Sequence, residues 1–216
     1  MKSIGGATAL ALTAIALSTH VTQARGSGQA PCRPPGTVLL AHDATVRVYA
    51  RKGGAARRGP VIACLSGRMR GMTLLAAPPA GSCCFGVGDF LFAGDVVALQ
   101  ASRWGVDSAT GELLVANVER RQVLQRIPDI WSYADAGFVG EVRVTKLLLN
   151  ARGDVAWISA SGRRGGSVVY SVRASAPGGS PATLAEGAGI GEESLSLSGS
   201  TLSWWQDGSE RSAQMP

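Results

Sequence analysis

Histidine, lysine, asparagine and aromatic side chains are scarce in this chain of 216 residues, and each scarcity narrows what it can do. The histidines are His20 and His42 alone. Nucleophilic catalysis needs a base held beside a Ser or Cys, and no G-x-S-x-G supplies the nucleophile. His42 stands next to Asp43 in a predicted turn, which is no triad. There is no C-x-x-C and no H-E-x-x-H, so a zinc site has no support and no cofactor is expected. Beyond the N-terminus no apolar run reaches the roughly 18 uncharged residues of a membrane span. No segment keeps a 3.6-residue period, so long helices are not expected, although residues 115–127 could form a short one.

The N-terminus differs from the rest. Lys2 precedes the almost uncharged stretch Ile4–Leu17, and Thr22-Gln23-Ala24 puts small residues at the −3 and −1 positions of a cleavage site. Residues 1–24 are predicted to be a signal peptide cut after Ala24, with a buried N-terminal helix as the alternative. The residues before Cys32 (Gln29-Ala30-Pro31) are no lipobox. An exported protein is expected, secreted or otherwise outside the cytoplasm, with no span in the mature chain. Cys32, Cys64, Cys83 and Cys84 remain after cleavage, an even number that suggests disulfides. Three pairings are possible. A Cys83–Cys84 bridge would close a strained ring, so Cys32 and Cys64 are each expected to join one of that pair.

Glycine is abundant, with 29 residues, and it favours turns and short strands. Residues 25–36 read as a linker. After it, short apolar runs alternate with Gly, Ser, Asp and Arg clusters, and Val46-Arg47-Val48-Tyr49 alternates as a half-buried strand does. An apolar run, a tight turn and a second apolar run recur around Val46, Val96, Val155 and Leu202, which are 50, 59 and 47 residues apart. A period near 50 with four strands per unit is blade-sized. The expected fold over residues 37–216 is all-β, with three to four propeller-like four-stranded blades; a β-sandwich is the alternative. Gly153-Asp154-Val155-Ala156-Trp157, then Val169-Tyr170-Ser171-Val172, then Leu184-Ala185, resembles the blade pattern of TolB-like propellers. The segment ending Ser203-Trp204-Trp205 is similar to exported proteins of GC-rich actinobacteria. The resemblance covers roughly residues 37–214 and implies a fold without an activity. It leaves open a small ring, an open arc, or a ring closed between chains.

Several short motifs have ordinary explanations. Arg152-Gly153-Asp154 spells an adhesion tripeptide, but Gly-Asp is what a hairpin turn selects. Gly86-Val87-Gly88-Asp89 leads into a strand, so it lacks the helix N-terminus that would hold phosphate and reads as a loop beside the cysteines. Glu192-Glu193, and Asp129 with Asp135, could serve a carbohydrate hydrolase as paired acids. They read first as solvated turn charges, so an enzyme is the alternative to a non-enzymatic binding or scaffold module.

The net charge of +6 is carried largely by arginine, partly in the pairs Arg57-Arg58, Arg120-Arg121 and Arg163-Arg164. A basic face for an anionic partner is one reading of these pairs and ordinary surface charge the other. For an exported chain the partner would be an envelope polymer or protein; nucleic acid is not expected. In a four-stranded antiparallel unit, the loops joining second to third strands share an end with those joining units. Those loops carry Arg57, Arg58, Arg103, Trp104, Trp131, Tyr133, Arg163 and Arg164, near Cys83 and Cys84. The expected binding surface is therefore that end, and its ligand an anionic polymer or a glycan.

Overall fold

The computed structural model describes residues 33 and 35–216, except 52–58, 69, 78–84, 106–107, 135–140 and 163–165. The predicted signal peptide lies outside the described residues, as do Cys32, Cys83, Cys84, Asp135, Arg57, Arg58, Arg163 and Arg164. All regular elements described are strands. They run β1 (Thr37–His42), β2 (Val46–Arg51), β3 (Val61–Leu65), β4 (Gly71–Leu75), β5 (Phe85–Ala93), β6 (Val96–Trp104), β7 (Ser108–Asn117) and β8 (Gln122–Ala134). Then follow β9 (Glu141–Leu149), β10 (Val155–Gly162), β11 (Val168–Ser175), β12 (Ala182–Gly187), β13 (Ser196–Ser198), β14 (Thr201–Gln206) and β15 (Ser209–Gln214).

Strands β1–β4 form one sheet, β5–β12 an eight-stranded sheet and β13–β15 a three-stranded sheet, each in chain order. The pairings are antiparallel. The fold is thus all-β, with antiparallel sheets packed on one another as in a β-sandwich. Among the described residues, the eight-stranded sheet is narrow at its middle, where β8 and β9 pair at Ser132↔Val142. No pairing between β13–β15 and β1–β4 occurs among the described residues, so no closed ring is seen.

Three apolar clusters hold the layers together. The first joins Val46, Val48, Val61 and Leu74 of the first sheet to Val97, Leu99, Leu114 and Ala116. The second joins Val96, Ala98, Leu113, Val115 and Ile127 to Val155 and Trp157. The third joins Ala156, Ile158 and Val172 to Leu202 and Trp204. Strands β6, β7 and β10 therefore bury both faces. That is why Val96–Leu99, Leu113–Ala116 and Val155–Ile158 are continuous apolar runs and not alternating ones.

Residues 115–127 do not form a helix. They are the end of β7, a turn and the start of β8. Asn117 explains the reversal: its Oδ1 accepts from Arg120 N (2.7 Å), and its Nδ2 donates to Asp95 Oδ2 (2.8 Å) in the neighbouring turn. Gly86–Asp89 also departs from expectation, since it lies within β5 and is no loop.

Away from Ser132↔Val142, a buried polar relay ties β8 to the next strands. Gln125 Nε2 donates to Gly153 O (2.7 Å), and Ser175 Oγ donates to Gln125 Oε1 (3.0 Å). Gln125→Ala removes the donor and leaves that carbonyl unmet. It should cost about 1–3 kcal/mol in chemical denaturation. A loss within about 0.3 kcal/mol would show that the relay contributes nothing beyond ordinary surface change.

Candidate functional site: an aromatic ledge at the end of β6–β8

Strand alternation decides which predicted residues share a surface. Val97, Leu99 and Ala101 of β6 face the first cluster, whereas Val96 and Ala98 face the second. Continued along the strand, this puts Arg103 on the first face and Trp104 on the second. Arg103 and Trp104 lie at the same end of β6, but adjacent residues on a strand point to opposite sides, so the two do not share a sheet face. The expectation that Trp104, Trp131 and Tyr133 lie in loops is corrected. Trp104 ends β6, and Trp131 and Tyr133 lie in β8, because both strands run past the apolar segments that announce them.

The register brings the three aromatics onto one face. Trp104 pairs with Ala109, Ala109 with Tyr133, and Gly111 with Trp131. Cross-strand partners share a face, so the rings stand over a floor of small residues. Trp104 and Trp131 meet edge to face, with centroids 6.1 Å apart and planes at 60°. That arrangement suits the opposite charge of ring face and ring edge. The indole Nε1 of Trp104 donates to Ser102 Oγ at 3.1 Å, which helps set its tilt. Trp104 is 50% exposed and Tyr133 43%, while Trp131 is partly buried against the second cluster.

Gly111 creates the seat. A Cβ at this position would fall inside the Trp131 indole, so only glycine lets the ring lie on the strand. A bulge then aims the ring. Between Ile127↔Leu113 and Trp131↔Gly111, the residues Pro128, Asp129 and Ile130 stand opposite Glu112 alone. Asp129 takes a left-handed φ of 53° there, and Ile130 is buried. Sequence reasoning did not single out Gly111. A glycine inside an apolar strand is the signal that could have done so.

The other candidates have local roles. Glu192 pairs with Arg143 at 3.0 Å and Glu193 with Lys146 at 3.5 Å, while Thr145 Oγ1 donates to Glu192 O at 2.8 Å. These contacts fasten the loop before β13 onto β9, and the two carboxylates go to two separate cations. Asp129 lies in the β8 bulge, not in a loop. Asp154 is buried. Its Oδ2 accepts from Asn150 Nδ2 (2.9 Å) and Arg152 Nε (2.8 Å), so the adhesion-like tripeptide is a turn with its acid turned inward. Cys64 is buried in β3, and no disulfide is found among the described residues. Those residues contain no cluster of three or more His, Cys, Asp or Glu that could hold a metal, and no helix long and apolar enough to cross a membrane. No family model, no curated protein and no solved structure matches this chain.

Proposed function

We propose that the protein is an exported, non-enzymatic binding module of the cell envelope, and that the Trp104–Trp131–Tyr133 ledge receives a glycan or an anionic envelope polymer. One observation carries this reading: two indoles packed edge to face on paired strands, with half of Trp104 left in water. Exposing that much aromatic surface at a fixed angle serves a flat apolar ligand face, such as that of a sugar ring. Rigid strands hold the geometry better than loops would.

In the same proposal the strands are grouped into propeller-like units. Among the described residues β8 and β9 pair at Ser132↔Val142 alone, which divides the long sheet into two four-stranded meanders, and an apolar cluster fills each interval between successive units. Such a succession supports propeller-like blades. The last unit argues for an open arc. Outside its apolar side, β14 carries Thr201, Ser203 and Trp205 opposite Gln214, Ser212 and Glu210, and Trp205 is 53% exposed. A polar outer face is what ends a stack of repeats.

Binding of the secreted protein to isolated wall material tests the ledge. Trp104→Ala with Trp131→Ala should weaken it about 30-fold or more, as aromatic anchors do. Trp205→Ala, on the outer face of β14, should leave it unchanged. A steep fall with added salt would indicate an anionic polymer; a flat response would indicate a neutral glycan. Equal binding by the double variant and the parent would refute the ledge.

Export has its own test. The mature chain should begin at Arg25, and its mass should rise on reduction as Cys32 and Cys64 are released from Cys83 and Cys84. An intact Met1 and four native thiols would contradict the compartment. Losing one bridge should cost on the order of 2–5 kcal/mol.

A further inference from the structure

The bulge that seats Trp131 has a second consequence on the opposite face of the sheet. There Arg103, Thr110 and Glu112 of β6 and β7, with Pro128 and Asp129 of the bulge, border an open cavity of about 110 Å³ whose floor is the buried Ala101. Its charges are not equivalent. Glu112 is already met by Arg126 at 3.2 Å, and Arg126 also donates to Leu74 O at 3.5 Å. Arg103 and Asp129 have no ion-pair or side-chain hydrogen-bond partner among the described residues. One guanidinium and one carboxylate thus flank the same small space without neutralising each other. The left-handed φ of Asp129 belongs to the bulge that also aims Trp131.

A lone anion would meet Arg103 but also the two carboxylates; a lone cation would meet the reverse. A ligand carrying both charges matches both walls. The space is open on one side and lined by one free charge of each sign, which suits a small molecule with both charges close together. We propose that this cavity binds a small zwitterion, such as an α-amino acid, with its carboxylate on Arg103 and its ammonium on Asp129. Guanidinium and carboxylate form paired hydrogen bonds in one plane, and Thr110 offers a further hydroxyl at the rim. The cavity lies on the other face of the sheet and uses none of the three aromatic rings, although Gly111 and the bulge border both.

The test is a titration of the full chain with glycine, followed by amide chemical shifts. Acetate and methylammonium serve as the two half-ligands. So small a ligand should bind with a dissociation constant of roughly 1 mM. Each half-ligand should bind at least about tenfold more weakly, since each forfeits one charged contact. Arg103→Gln and Asp129→Asn should each abolish saturation by glycine while leaving the remaining spectrum in place. Asparagine tolerates left-handed backbone, so the bulge should survive that change. No perturbation by roughly 50 mM glycine overturns the proposal, that being far above the range expected. Acetate binding as tightly as glycine overturns it too, and so does glycine binding undiminished in both variants.

Discussion

Trp157→Ala should destabilise the protein by about 3–5 kcal/mol, more than any other single truncation discussed above. Trp157 is 1% exposed and stands in the cluster that joins β6, β7 and β8 to β9 and β10. Its loss removes the largest side chain from that interval. The wall on the other side is made of strands already paired on both edges, so it cannot close the void cheaply. The ring also carries the Arg173 guanidinium 5.5 Å from its centroid, a contact that ends with the ring. Because β8 and β9 share one backbone pair among the described residues, packing in this cluster, with the Gln125 relay, holds the two meanders together. Urea unfolding measures the loss. Trp205→Ala, at a position 53% exposed, should stay within about 0.5 kcal/mol of the parent. Similar losses in the two variants would mean that the second cluster does not join the meanders.

Gly111→Ala should have the second large effect, and it should reach binding as well as stability. The added methyl occupies the space of the Trp131 indole, so either the ring leaves its seat or β7 and β8 separate locally. Overpacking of this kind costs about 1–3 kcal/mol. If the ring leaves, the edge-to-face contact with Trp104 is lost, and wall binding should fall as far as in Trp131→Ala. Near-ultraviolet circular dichroism reports the indole pair, and a binding assay reports its use. Parent-like binding with a changed indole signal would separate the ledge from the function and count against the proposal.

Much of the strand layout was legible because both-face burial writes itself as an uninterrupted apolar run. Val96–Leu99 and Val155–Ile158 begin β6 and β10, and the apolar run Val61–Leu65 is β3. The turns were legible for a similar reason, since Gly153, and Gly199 between β13 and β14, adopt backbone conformations that glycine favours. Where strands outrun their apolar segments, the signal stops. Arg103, Trp104, Pro128 and Asp129 look like loop residues by composition, yet they belong to β6 and β8. Pairing with a neighbour carries those strands on, and the partner's identity is not a local property. The same limit hid the division of Arg103 from Trp104: alternation separates them only once the strand is known to continue. Gln125 was equally silent, because its partners Gly153 and Ser175 are distant in sequence.

The most direct measurement of the central claim follows the five tryptophan indole N–H signals while wall glycan fragments are added. Trp104 and Trp131 should shift together and saturate at one ligand concentration. Trp157 and Trp204, which are buried in the second and third clusters, should hold still, and so should Trp205 on the outer face of β14. Shifts confined to Trp205, or a bound fragment that leaves Trp104 and Trp131 unmoved, would contradict the account.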